Sequence, residues 1–268
     1  MYELAICAIF NQEYRYLPEW VDWHAAQGAS HFFLYQHDPN PLNVEKISKK
    51  HAQLITLIDW RKDKSDLIQR RAYNHCLQRY AHTCKWLMVL DIDEFLMPAD
   101  PKREHNALEV LRRHFTQDVA AIEIKVYNFG HKPHMEPPPI GSIIDCFRYV
   151  SNRGGWEKSM INGKEAKKIQ FISAHWISGG RKHKDKGKFF RINHYITKSV
   201  KEYKERGELW LRRKKQKNRG GFQFNTDNDR RFNFANAIRY SDRLDITGQI
   251  AKNEVNNKLT DFTYSNNL

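Results

Sequence analysis

Residues 86–98 read WLMVLDIDEFLMP. The apolar run Trp86–Leu90 meets Asp91, Asp93 and Glu94, and Phe95, Leu96 and Met97 are apolar again. Charges placed inside so hydrophobic a segment must be paired or they cost too much to bury. In an extended strand residues two apart share a side. Asp91 and Asp93 therefore point the same way past the end of a strand, with Ile92 toward the core and Glu94 away unless the chain turns. Two carboxylates held together repel unless a cation or a donor sits between them. Oxygen ligands with room for water and phosphate suit Mg2+ or Mn2+. The plainer alternative is an acidic turn salt-bridged to some of the chain's many Lys and Arg.

Outward from this stretch the pattern is α/β. LAICAIF (4–10) is a continuous apolar run, as a buried parallel strand requires. Leu17, Trp20, Val21 and His24 recur at helical spacing within 14–27, and Gly28 stands where a helix-ending glycine belongs. HFFLYQ (31–36) and QLITLIDW (53–60) predict two more strands. Ser65 reads as the N-cap of a helix over 66–83, in which Ile68, Ala72, Cys76 and Tyr80 repeat every four residues. KWLMVL (85–90) is the fourth strand, Leu108, Leu111 and Phe115 mark a helix, and VAAIEIKVYNF (119–129) reads as one long strand. This order predicts an α/β fold, a mostly parallel central sheet flanked by helices. Ligands of such sheets bind beyond the carboxyl ends of the strands, where Asp91 and Asp93 fall. After 130 the pattern weakens at Pro137, Pro138 and Pro139. FFRINHYI alternates like a strand, and 198–217 reads as a helix.

The 268 residues suit one large domain, or one with an elaborated end. We expect a single domain over 1–235, with a nucleotide-binding half (1–100) and an acceptor-side half (101–200), and a basic helical extension over 198–268. No run of 18 apolar residues suggests a membrane span. The start has no basic leader pattern, and the four cysteines form no CxxC pair, so a cytoplasmic protein with reduced thiols is expected. The net charge is +14, and residues 181–220 hold 16 Lys or Arg against 4 Asp or Glu, which is +12. Such a block suits a polyanionic partner (phospholipid, nucleic acid, an anionic glycan or lipid carrier) or is simply a solvated basic face. There is no GxGxxG and no GxxxxGK[ST]. A bound nucleotide diphosphate would rely on metal and basic side chains instead.

Four segments follow one another in a familiar order: NQEYRYLPEWVDWHAAQGASHFFLYQHDPN, QRRAYNHCLQRYAHTCKWLMVLDIDEFLMP, YNFGHKPH and RINHYITKSVKEYKERG. The series resembles glycosyltransferase family 92 and its bacterial relatives close to family 2, over roughly 4–235. The resemblance implies a glycosyltransferase A-type fold, a nucleotide-sugar donor (a UDP-sugar first), a divalent metal (Mn2+ or Mg2+) and inversion at the anomeric carbon. It makes Asp91 and Asp93 the metal-binding pair, and Asp91 a donor contact as well. It sets His194 near the metal or diphosphate and makes Lys198 a phosphate partner. It puts Asn11 and Glu13 by the nucleotide base and Asp38 near ribose or base, and turns Gln69 and Asn74 toward the donor. One departure is NQE after the first strand, where the family often has K-N-E. Eukaryotic members usually carry a membrane anchor and stem, so a bacterial member is expected.

For His194 the residues alone allow either a metal-facing imidazole or a core histidine satisfied by the backbone. His131 and His134 in HKPH line an acceptor loop or a plain surface turn. Inversion needs a carboxylate base, and Asp145, Glu157, Asp227 and Asp229 are the candidates, none singled out by spacing. Leu209, Trp210 and Leu211 beside the basic run to Arg219 suit docking on an anionic membrane face, where lipid-linked acceptors of lipopolysaccharide or capsule synthesis are found. The competing readings are a metal-dependent nuclease or phosphodiesterase using Asp91, Asp93 and Glu94, and a nucleic-acid-binding module. With the basic residues grouped away from the acidic cluster in sequence, no nucleic-acid partner is expected.

Overall fold

The computed structural model describes residues 1–115, 119–130, 134–141, 143–217, 243–245 and 247–254, with backbone alone at 152–154, 209–217 and 243–244. The chain opens β1 (Tyr2–Phe10), α1 (Leu17–Ala26), β2 (His31–Gln36), α2 (Val44–Ile47), β3 (Ile55–Asp59), α3 (Ile68–Tyr80) and β4 (Cys84–Val89). It continues β5 (Glu94–Pro98), α4 (Ala107–His114), β6 (Ala121–Ile124), β7 (Val126–Phe129), α5 (Ile143–Cys146), β8 (Tyr149–Gly154) and β9 (Lys158–Asn162). It closes with β10 (Gln170–Phe171), β11 (Ile177–Ser178), β12 (Lys182–Lys184), β13 (Phe190–His194), α6 (Val200–Lys217) and β14 (Arg243–Leu244).

The expected α/β sheet is present, seven strands in the order β12-β6-β9-β4-β1-β2-β3. β1 to β4 run parallel, and β9 is antiparallel to both β4 and β6. A second sheet, β14-β8-β7-β13-β5, was not legible in the sequence. Residues 86–98 are the joint between the two sheets. β4 lies in the first, the acidic residues turn the chain (Glu94 N–H to Asp91 O, 3.0 Å), and β5 pairs antiparallel with β13 in the second. The expected single strand over 119–129 also divides. Ile124 pairs with Lys158 in the large sheet and Val126 with Ile192 in the small one, the exchange falling at Lys125. An alternating run specifies faces, not partners, so this change of sheet leaves no trace in it. The described segment beyond 235 packs on the second sheet: β14 pairs with β8, and the Asp245 carboxylate meets Arg191 at 3.0 Å. No described helix is long and apolar enough to cross a membrane.

The periodic residues of α1 do more than fill the core. Trp20 Nε1–H donates to the carbonyls of both Asp91 (3.0 Å) and Glu94 (2.9 Å), and Trp23 Nε1–H to that of Leu96 (2.8 Å). The fully buried His24 donates from Nδ1 to the Trp20 carbonyl (2.8 Å) and accepts the Leu96 N–H at Nε2 (3.1 Å). One helix face thus holds the acidic turn and the start of β5. Gly28 ends this helix at φ +90°, as expected, and a Cβ there would sit 2.4 Å from that of Leu108. Ser65, by contrast, is not a helix cap. Its N–H bonds the Asp63 carboxylate (2.9 Å), and α3 starts at Ile68 with no side-chain cap.

Burial outweighs the Trp20 carbonyl and pushes the His24 pKa down to about 3. The unfolded chain takes a proton at this histidine below its ordinary 6.5, whereas the fold refuses it until about 3. Stability should drain across that window as pH falls, by about 1.4 kcal/mol per pH unit. Urea unfolding should show wild type losing more stability between about pH 6.5 and pH 4 than His24→Gln does. Parallel losses would contradict a neutral, buried His24.

Candidate functional site

The three acidic side chains are neutralised by two separate sets of partners. The first set centres on Lys158, which is fully buried. The register of β9 on β4, Trp86 with Asn162 and Met88 with Met160, carries Lys158 past the end of β4. Its Nζ lies 3.0 Å from Asp91 Oδ2 and 3.0 Å from Glu94 Oε2. Glu94 Oε2 also accepts the Asp91 N–H (2.9 Å), so the turn brings Glu94 round to the side of Asp91. From α3, the Tyr73 hydroxyl (2.9 Å) and Gln69 Nε2 both donate to Asp91 Oδ1. Burial would lower the Lys158 pKa, but Asp91 and Glu94 outweigh it and raise it. Burial likewise opposes the charge on Asp91, and Lys158 holds its carboxyl below the ordinary value.

The second set surrounds Asp93. His194 Nε2 lies 3.4 Å from Oδ1, and Lys198 Nζ (3.3 Å) and Arg206 Nη1 (3.5 Å) face Oδ2. Burial opposes the Asp93 charge too, yet Lys198, His194 and Arg206 keep its carboxyl well below the usual range. β13 delivers His194, paired opposite Glu94 in the ladder. Its Nδ1–H donates to Asn128 Oδ1 (3.0 Å), which fixes the ring and leaves Nε2 for Asp93. Lys198 has φ +51°, an uncommon backbone for a residue with a side chain. Ser199 and Glu202 hold it there as a capping box on α6: the Ser199 N–H bonds Glu202 Oε2 (3.1 Å) and the Glu202 N–H bonds Ser199 Oγ (3.3 Å). The Tyr16 hydroxyl also donates to Glu202, and Lys198 Nζ lies 5.1 Å over the Tyr16 ring. Backbone in sparsely populated regions gathers at functional sites. Gln12, in the loop after β1, is a second case at φ +64°.

Of the residues singled out in the sequence, Asp91, Asp93, His194, Lys198 and Gln69 converge. Glu13 joins their electrostatic environment. Desolvation first, then Asp93 and Asp91 against Lys198, raises its pKa to about 7. Asn11 ends at the same loop, its buried Oδ1 without a hydrogen-bond partner among the described residues. Asp38 does not face open space: it is fully buried and accepts the Gln12 (2.6 Å) and Asn40 (2.8 Å) amides, holding the loop. Asn74 brackets the backbone of Phe171, donating to its carbonyl and accepting its N–H at 2.9 Å each, and so ties β10 to α3. Asp145 is paired with Lys252 at 2.5 Å, where α5 meets the segment 247–254. Glu157 is half-buried, next in the chain to Lys158. His134 Nε2 meets the Cys146 carbonyl (3.1 Å). Asp227, Asp229, His131 and the side chains of 209–219 lie outside the described residues. Lys158, Tyr73, Asn128 and Arg206 were missed. A buried lysine in a strand has no sequence signature, although Arg206 falls one helical turn on from Glu202.

A cavity of about 360 Å3 opens on the far side of α3, lined by Trp60, Arg70, Asn74, His75 and Ile172 among others. Neither Asp91 nor Asp93 borders it. Among the described residues no group of three or more His, Cys, Asp or Glu forms a closed metal cage. Asp93 and His194 do fit a divalent ion as neighbouring ligands. Their 3.4 Å separation is close to the roughly 3 Å edge of an octahedron with bonds of about 2.1 Å. An ion held so would keep water and phosphate oxygens as its other ligands.

Fold and site together define a mixed α/β protein with an ion-paired acidic site beyond the end of a central strand. The family model for glycosyltransferase family 92 matches residues 2–234, and the chain belongs to that family. A family 92 protein of Ricinus communis is 27% identical over 151 residues, 53% of this chain and 26% of the relative. One of Oryza sativa subsp. japonica is 26% identical over 100 residues, 35% of this chain and 16% of the relative. Among solved structures, the mannosyltransferase PcManGT from Pyrobaculum calidifontis, in complex with GDP-Man and Mn2+, aligns at 12% identity over 93% of this chain and 74% of its own, with TM-score 0.46. The chain spans well under half the length of these two plant relatives. Their source gives no support to the expected bacterial assignment.

Removing the Lys158 ammonium while keeping its bulk should strand Asp91 and Glu94. Lys158→Met should cost about 3–5 kcal/mol in urea unfolding. A cost under about 1 kcal/mol would contradict the buried pairing.

Proposed function

We propose that this chain is the catalytic domain of an inverting, metal-dependent glycosyltransferase that moves a sugar from a nucleotide-sugar, a UDP-sugar first, to a hydroxyl of a glycan or lipid-linked acceptor. The observation that carries the reading is the group of cations on Asp93. Lys198 and the partly exposed Arg206 are long side chains already gathered where a diphosphate would need neutralising. Asp93 and His194 would hold Mn2+ or Mg2+, and such an ion neutralises the departing diphosphate when bound. Asp91 is fixed by Lys158, Tyr73 and Gln69, with its side chain 27% exposed, and can orient a donor hydroxyl. Asn11 and Glu13 sit at the loop where the nucleotide base would enter. The acceptor's proton goes to a carboxylate as its oxygen attacks, worth roughly 10²–10⁴ in rate. Asp145 is engaged elsewhere, which leaves Glu157, Asp227 and Asp229 as bases. The basic run at 209–219 would hold the enzyme reversibly on the cytoplasmic face of an anionic membrane, each basic residue contributing about 1 kcal/mol.

The nuclease alternative needs carboxylates free for one or two metals. Asp91 and Glu94 are both spent on Lys158, which disfavours it.

Thermal unfolding with UDP, GDP, CDP or AMP, with and without Mn2+, tests the proposal. One nucleoside diphosphate should stabilise the protein by about 2.7 kcal/mol at a hundred times its Kd. The shift should need the metal and vanish in Asp93→Asn. No metal-dependent shift with any of the four would overturn the reading.

A further inference from the structure

Tryptophan is expensive to leave in water; among the described tryptophan side chains Trp60 is half-buried, and the others lie toward either extreme. Trp20, Trp23 and Trp86 are buried, while Trp156 and Trp176 are 62% and 54% exposed. The two exposed rings lie together. Their centroids are 5.6 Å apart at 70°, and His175 lies beside Trp156 at 6.2 Å with the rings near parallel (25°).

Two constraints seat this group beside the acidic turn. Trp156 precedes Lys158 by two residues, and Lys158 Nζ touches Asp91 and Glu94. His175 and Trp176 close the β10–β11 hairpin: the Ile172 N–H bonds the Trp176 carbonyl (3.0 Å), and Ser173 Oγ accepts the N–H groups of His175 (3.1 Å) and Trp176 (3.0 Å). Asn74 clamps that hairpin to α3 through both polar groups of Phe171. The same helix holds Asp91 through Gln69 and Tyr73. The rings are therefore fixed in relation to Asp91, not loose on the surface. The His175 environment agrees. Burial first, then Lys158, pushes its pKa down to about 4, against Asp91, so the ring is neutral.

We propose that Trp156, Trp176 and His175 form a ledge on which a pyranose ring of the acceptor glycan stacks beside Asp91. This rests on the transferase reading above. A pyranose offers a C–H face to the negative face of an indole and keeps its hydroxyls at the edge, free for chemistry. Two half-exposed indoles present roughly 250 Å2. That suits one or two sugar rings and falls short of the roughly 800 Å2 per partner that a stable protein interface buries. A lipid surface is the poorer occupant, because it would press acyl chains toward the charged Lys158 cluster.

The test titrates the wild-type protein with cellotetraose, chitotetraose, mannotetraose and galactotetraose, following tryptophan fluorescence. At least one should change the emission saturably. Binding by calorimetry should weaken about tenfold in Trp156→Ala and in Trp176→Ala, and Trp156→Phe should restore most of it. All three variants should keep the wild-type melting temperature and the metal-dependent nucleoside diphosphate shift, which separates failure of the ledge from failure of the donor site. Equal glycan affinity in wild type and alanine variants would overturn the proposal. So would the lack of any response to the four glycans, or a response only to phosphatidylglycerol vesicles.

Discussion

One buried ammonium governs this molecule. Lys158 sits with no exposed surface between Asp91 and Glu94, and a lysine is buried in this way only when paired. Without it the acidic turn could not lie inside the joint of two sheets. With it, the turn becomes the hinge of the architecture: β4 lies at the centre of the first sheet, β5, the next strand in the chain, lies in the second, and the Trp20 indole fastens the Asp91 and Glu94 carbonyls at the turn. The pairing depends on the β9 register, since a slip by one residue would turn Lys158 to the other face.

The division of charge has a functional consequence. Lys158 is enclosed and cannot follow a ligand, so Asp91 and Glu94 form a fixed floor. The Asp93 partners are of another kind. Lys198 and Arg206 reach in from the start of α6, and His194 keeps one ring nitrogen for Asp93 while Asn128 holds the other. They neutralise Asp93 in the free protein, and under the proposed function they are the groups for which a diphosphate would compete. A site arranged beforehand in this way spends little on rearrangement when charge arrives.

Much of the frame was legible in the sequence, for reasons tied to particular residues. The continuous apolar runs of β1, β2 and β4 are short and rich in strand formers, which reads as strands covered on both faces. Trp20, Val21 and His24 gave α1 its buried face, and Gly28 its end. Asp91 and Asp93 stood out by their place at the end of an apolar strand, whereas His194 and Lys198 came chiefly through the family resemblance. The misses share a cause. The change of sheet at Lys125, the turn that brings Glu94 to Asp91, and the arrival of Lys158 are all decided by contacts between distant segments, and local pattern carries no record of those. Ser65 failed as a cap because α3 starts only at Ile68, with Leu67 in the N-cap position and no side-chain cap. Asp38 was expected near ribose or base, and Asn74 toward the donor. Their polar groups hold backbone, which a sequence does not distinguish from holding a ligand.

The central claim is that the cations around Asp93 serve a leaving nucleoside diphosphate. The most direct measurement is release of nucleoside diphosphate from a panel of nucleotide-sugars with Mn2+, by wild type, Asp93→Asn and Lys198→Met. One nucleotide-sugar should be turned over by wild type, with release falling about a hundredfold or more in each variant, as expected when a transition-state charge partner is lost. Turnover of none, or turnover unchanged by both substitutions, would contradict it.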